Sequence, residues 1–172
     1  MNHPPLPDAI RLRADEHLIA IWRPAFKVFL RKITVVSLLT AVVLGVIFES
    51  FTDFNGPLAW FIGLIASAAF YAFIFDDVFE WRQRRDDHWV LTNQRLMFHN
   101  PLEDAEPASM SLANCGASTP WMGWSVRLRL LPSGAVILPY LRDCSEIAAQ
   151  IRDAVTAHKD APRKTARAKA RV

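Results

Sequence analysis

Two uncharged apolar runs decide how this chain folds: I-T-V-V-S-L-L-T-A-V-V-L-G-V-I-F, Ile33 to Phe48, and P-L-A-W-F-I-G-L-I-A-S-A-A-F-Y-A-F-I-F, Pro57 to Phe75. As a helix the first rises about 24 Å and the second about 28 Å at 1.5 Å per residue, against a hydrocarbon core of roughly 30 Å. The basic, aromatic turn Phe29–Lys32 brings the first to spanning length, and Pro57 suits the first turn of a helix, where its missing N–H is no loss. Neither run has a polar stripe beyond Ser and Thr. Two buried helices of a soluble core would be the alternative, but a domain this small rarely holds adjacent helices apolar on every face. The reading is a transmembrane hairpin, with helix 1 over 26–48 and helix 2 over 57–85, the latter extending beyond the bilayer.

Charges around the hairpin give it a direction. Arg23, Lys27, Arg31 and Lys32 precede helix 1, Arg82, Arg84 and Arg85 follow helix 2, and the Glu49–Gly56 connection has no Lys or Arg. The positive-inside rule then places both termini of a multi-pass membrane protein in the cytoplasm and the loop outside. Lys27, Arg31 and Lys32 are expected to snorkel toward lipid phosphates. Trp22, Trp60, Tyr71 and Trp81 fall where an aromatic belt belongs. Small residues recur every fourth position: Ser37, Ala41 and Gly45 in helix 1, Ala59, Gly63 and Ser67 in helix 2. Such stripes permit close helix packing; they face each other within one chain or serve a homo-oligomer.

Outside the hairpin the periodicity changes. Residues 1–14, with Pro4, Pro5 and Pro7, are expected to form a flexible lead, and 15–23 a strand that joins the cytoplasmic sheet and stops before Pro24. From Asp87, short alternating segments follow: His88–Leu91, Arg95–His99, Ala108–Ala113, Trp124–Leu130 and Ala135–Leu138. Trp124, Val126, Leu128 and Leu130 share one strand face, and Ser125, Arg127 and Arg129 the other. Asp143 and Glu146 suggest a capping box opening a helix whose stripe is Ile147, Ile151 and Val155. Residues 87–158 therefore read as a small antiparallel sheet, strongly bent or a partial barrel, closed by a C-terminal helix. With the hairpin, the whole is an α+β membrane protein.

The 172-residue chain has a net charge of +3, but this is unevenly placed. Setting aside the six Lys/Arg and one Asp from Lys159 onward leaves 14 basic and 16 acidic residues, a balance of −2. The segment 159–172 is expected to be a disordered basic tail, with Arg163, Lys164 and Arg167 facing anionic lipid. Nucleic acid ranks second for it, because no aromatics interleave the charges.

Searching for chemistry yields little. No G-x-S-x-G elbow, Walker loop, H-E-x-x-H or Rossmann glycine pattern occurs. The five histidines show no ligand-like spacing, and Cys115 and Cys144 form no framework. Asp76, Asp77 and Glu80 read as a salt-bridged helix end beside Arg82, Arg84 and Arg85. No catalytic residue, metal or cofactor is expected.

One stretch carries a resemblance. W-V-L-T-N-Q-R-L-M-F, Trp89 to Phe98, resembles the signature of bacterial membrane proteins with a pleckstrin-homology-like (PH-like) domain, in Trp89, Leu91, Thr92, Asn93, Arg95 and Leu96. The likeness takes in the upstream Asp15–Ile19 segment, the hairpin and the closing helix, roughly residues 14 to 158. It implies a membrane-tethered binding module, non-enzymatic, that meets protein partners or itself; an accessory subunit or regulator of a membrane or lipid-processing complex is the alternative. The phosphate-gripping bases of lipid-reading relatives are missing, since the turn offers only Arg95, which is expected to be structural.

Overall fold

The computed structural model describes residues 5–51, 56–73, 77–102 and 106–169, without the side chains of 51, 59, 70–73 and 162–169. The protein is α+β and divides into two compact units, Phe26–Arg85 and the combination of Met1–Ala25 with Asp86–Val172.

The first unit is helical. Helix α1 covers Phe26–Phe51, α2 Gly56–Phe73 and α3 Asp77–Arg84. Among the described residues α1 is the one helix long and apolar enough to cross a membrane by length and composition. α1 and α2 pack through their small residues: Ser67 Oγ donates to the Ser37 carbonyl at 2.7 Å. A methyl added at Gly63 would stand 3.4 Å from Gly45 N, and one at Gly45 would meet the Trp60 ring at 2.6 Å. The two stripes therefore face each other within the chain, and the Ala59 side chain lies outside the described residues. Pro57 sits in the first turn of α2 as expected.

Lys32 departs from expectation. It donates to Asp77 at 2.8 Å, at the acidic start of a helix, where a lipid phosphate was the expected partner. Lys27 and Arg31 are exposed. Phe29 stacks on Trp81 at 4.9 Å and Phe26 lies 5.7 Å from the same ring. Glu80 pairs with Arg84 one turn on, as a salt-bridged helix end should, and Asp76 is outside the described residues.

The second unit has two antiparallel sheets rather than one bent sheet. Strands β1 (Leu18–Trp22), β2 (His88–Thr92), β3 (Arg95–His99) and β4 (Ala108–Ser111) pair in that order. A 3-10 turn at Leu112–Asn114 ends β4 and leads to β5 (Cys115–Trp121), β6 (Ser125–Leu130) and β7 (Ala135–Pro139), the second sheet. Strand β5 has no counterpart in the sequence reading. Gly116, Pro120 and its small polar residues give it a weak strand signal, and Pro120 is tolerated because β5 is an edge. Tertiary contacts make up the deficit: Ser118 Oγ donates to the Ala148 carbonyl at 2.7 Å and Arg152 to the Ser118 carbonyl at 2.9 Å.

Helix α4 (Cys144–Lys169) supplies Ile147, Ala148, Ile151 and Val155 to a core shared with Leu91, Leu96, Val126, Leu128 and Leu138. Its start is not the expected capping box: Asp143 has φ 51°, not the extended conformation of a capping residue, and Glu146 accepts from Gln150 Nε2 at 3.2 Å. Nor is the tail disordered from 159, for the helix runs to Lys169. Ala, Lys and Arg are strong helix formers, and the helical backbone continues through Pro162. The Arg163, Lys164 and Arg167 side chains lie outside the described residues.

The expected flexible lead is also corrected. Ile10, 4% exposed, packs with Leu6 and Leu12 onto Ile21, Val90 and Met97 on the outer face of the first sheet. Residues 1–4 fall outside the described set. Strand β2 is apolar on both faces, so a bare outer face would cost about 2 kcal/mol per large side chain left in water. The N-terminal segment removes that cost.

Candidate functional site

The signature stretch closes the β2–β3 turn, and the polar side chains of Thr92, Asn93, Gln94 and Arg95 are all engaged. Thr92 Oγ1 donates to Glu16 Oε1 at 2.7 Å. Arg95 grips the same carboxylate with Nε to Oε1 at 2.8 Å and Nη2 to Oε2 at 2.9 Å, and reaches the Arg11 carbonyl at 3.1 Å. The Arg13 amide adds a further bond to Glu16 at 3.0 Å. Asn93 exchanges bonds with His17, amide to carbonyl at 3.2 Å and Oδ1 from the His17 amide at 2.9 Å. Gln94 Nε2 donates to Asp15 at 2.8 Å. From α4, His158 Nδ1 lies 3.1 Å from the Asn93 carbonyl.

These bonds decide the electrostatics. Burial opposes ionisation of Glu16, but hydrogen bonds from Arg95, Thr92 and the Arg13 amide, with the Arg95 charge, outweigh it and bring its pKa to about 2. The same partnership raises Arg95. Trp89, Leu91 and Leu96 lie in the core. The motif is thus a clasp that sews the Arg11–His17 segment to the sheet, and Arg95 is structural as its lone charge suggested. Glu16, the partner that sequence reasoning did not single out, was signalled by its place in D-E-H-L-I beside a strand.

Three other arrangements come from the fold. His88 and His99 form a cross-strand pair with ring centroids 6.4 Å apart, which their linear spacing hides. Burial, then the Arg23 charge, holds His88 below the usual histidine range. Among the described residues no group of three or more His, Cys, Asp or Glu is placed to hold a metal ion. Cys115 and Cys144 are both buried, Cys144 Sγ donating to the Leu141 carbonyl at 3.2 Å, and burial raises the Cys115 thiol.

Next, a cleft of about 280 Å³ opens between the two sheets, lined by Trp89, Phe98, Met110 and Val136 among others. Its rims are β4 and β7, each an edge strand of its sheet. Finally, Arg127 and Arg129 project from the outer face of β6, exposed as their alternation requires, with Arg127 5.7 Å above the Trp121 ring.

Comparison with protein-family models, with curated proteins and with solved structures finds no match for this chain.

Proposed function

We propose that the chain is a non-enzymatic integral protein of the bacterial inner membrane, whose α1–α2 hairpin holds a PH-like module in the cytoplasm for association with protein partners or with itself. The observation that carries the membrane half is the surface of α1. Leu38, Leu39 and Val43 are 58%, 64% and 59% exposed, on a helix of 26 residues. Water is a poor solvent for such a surface, which at roughly 25 cal/mol per Å² favours lipid strongly. Close packing of the small-residue stripes supports α2 as the second span.

For the module, support comes from the strand order, from the helix that closes the core, and from the signature residues serving as a clasp rather than a reactive site. The apolar cleft between the β4 and β7 edges is where a partner's side chains have room to enter.

Extraction tests the anchor. The protein stays in the membrane pellet through high salt and alkaline carbonate and leaves it in mild detergent; release by salt alone refutes the reading. Protease added to intact spheroplasts leaves the C-terminal segment uncut, whereas inverted vesicles expose it. For the module, crosslinking in mild detergent captures a partner or second copy, and Met110→Glu in the cleft lowers the yield several-fold. Unchanged yield removes the cleft from the proposal.

A further inference from the structure

The β5–β6 hairpin ends in Trp121-Met122-Gly123-Trp124, with φ 51° at Met122 and 74° at Gly123 and a 3.3 Å bond from the Trp124 amide to the Trp121 carbonyl. Positive φ at both central residues is the two-residue turn that favours Asn-Gly. Methionine at the first position is strained, and its side chain gives the domain little in return. Met122 is 67% exposed and Trp121 46% exposed. A strained turn that holds large apolar groups in the open is arranged for something outside the domain.

The location of the tip narrows what that is. The Leu141 amide donates to the Trp124 carbonyl at 3.2 Å, and the Ala25 amide donates to the Tyr140 carbonyl at 2.8 Å. Ala25 is the last residue of this unit before the chain enters α1. Two backbone bonds through adjacent residues thus tie the tip to Ala25, the residue covalently joined to the start of the apolar helix. Behind it stand Arg127, over the Trp121 ring, and Arg129. Neither has a carboxylate partner among the described residues.

We propose that the Trp121–Trp124 tip is an interfacial anchor that seats in the headgroup layer of an anionic bilayer, with Arg127 and Arg129 meeting lipid phosphates. Tryptophan suits that layer because its ring is apolar with one polar edge, Met122 enters as a flexible apolar plug, and guanidinium groups bind phosphate in two-point fashion. This rests on the membrane reading of α1 and adds a second, independent point of contact that orients the module.

Site-directed spin labels on the full chain, in vesicles of phosphatidylethanolamine and phosphatidylglycerol, separate the two claims. Labels go at Met122→Cys, at Ser133→Cys in the exposed turn at the other end of β6, and at Leu39→Cys in α1. The native Cys115 and Cys144 are buried and do not compete. The expected result is a Leu39 label shielded from a water-soluble nickel reagent, a freely reached Ser133 label, and a Met122 label several-fold less accessible than Ser133. Exchanging phosphatidylglycerol for phosphatidylcholine brings Met122 toward Ser133; no change overturns the role of the arginines. A Met122 label as accessible as Ser133, with Leu39 still shielded, overturns the interfacial anchor and leaves the hairpin intact. An accessible Leu39 label overturns the membrane reading itself.

Discussion

Arg95 and Glu16 stand 79 residues apart in the chain and meet through two parallel hydrogen bonds of 2.8 and 2.9 Å. Because the Glu16 side chain is fully enclosed, removing Arg95 strands its charge. Arg95→Met is therefore expected to cost about 3 kcal/mol, the penalty for breaking a buried pair from one side. Adding Glu16→Gln recovers part of that loss. Denaturant unfolding in mild detergent measures both, and a purely additive double variant would show that the pair is not coupled.

The same carboxylate gives the fold an acid limit. Its folded pKa, about 2, lies below the unfolded value of 4.5. Its contribution is therefore complete above pH ~5 and is lost as pH falls from about 4.5 toward 2. The difference corresponds to about 3 kcal/mol of stability above that window. Glu16→Gln flattens the stability profile across that window and leaves its slope above pH ~6 unchanged.

Met122 is a site where stability can be regained. Glycine takes φ 51° without strain, so Met122→Gly raises unfolding stability by about 0.5–1 kcal/mol. Thermal unfolding in detergent reads the gain directly. If the tip seats in headgroups, the stabilised variant also loses protection of the module in vesicles, seen as faster amide exchange along β5 and β6.

Inside the hairpin, Gly45 is fixed by Trp60. A methyl group 2.6 Å from the indole ring forces the ring to move, and Gly45→Ala is expected to cost about 1–3 kcal/mol. Trp60→Leu alone also destabilises, but together with Gly45→Ala the loss is smaller than the sum, by about 1 kcal/mol. An additive result would mean that the two side chains do not share the space.

What could be seen in the linear chain was whatever local pattern dictates. Period-two alternation placed Arg127 and Arg129 outward and Val126 and Leu128 inward, and the run of small residues foretold the α1–α2 contact. The Ile147–Val155 stripe announced the closing helix. Features made by distant partners stayed hidden. β5 has little intrinsic strand preference and exists because α4 holds it at Ser118. Ile10 looked like part of a loose lead because nothing local reveals that Ile21, Val90 and Met97 need a cover. His88 and His99 became neighbours only through strand register, and Lys32 was diverted by Asp77, 45 residues away.

Trp22 faces Trp89 across the β1–β2 ladder, and Arg23 reaches Asp86 at 3.5 Å just beyond it. The sheet therefore sees everything between those two points as a single hairpin turn, whatever its length. An insertion with its ends this close can be exchanged like a cartridge: the strands on either side keep their register while the hairpin is shortened, lengthened or replaced. Selection acting on the helices is thereby decoupled from selection acting on the module, and each can be refitted to a new setting without unravelling the other.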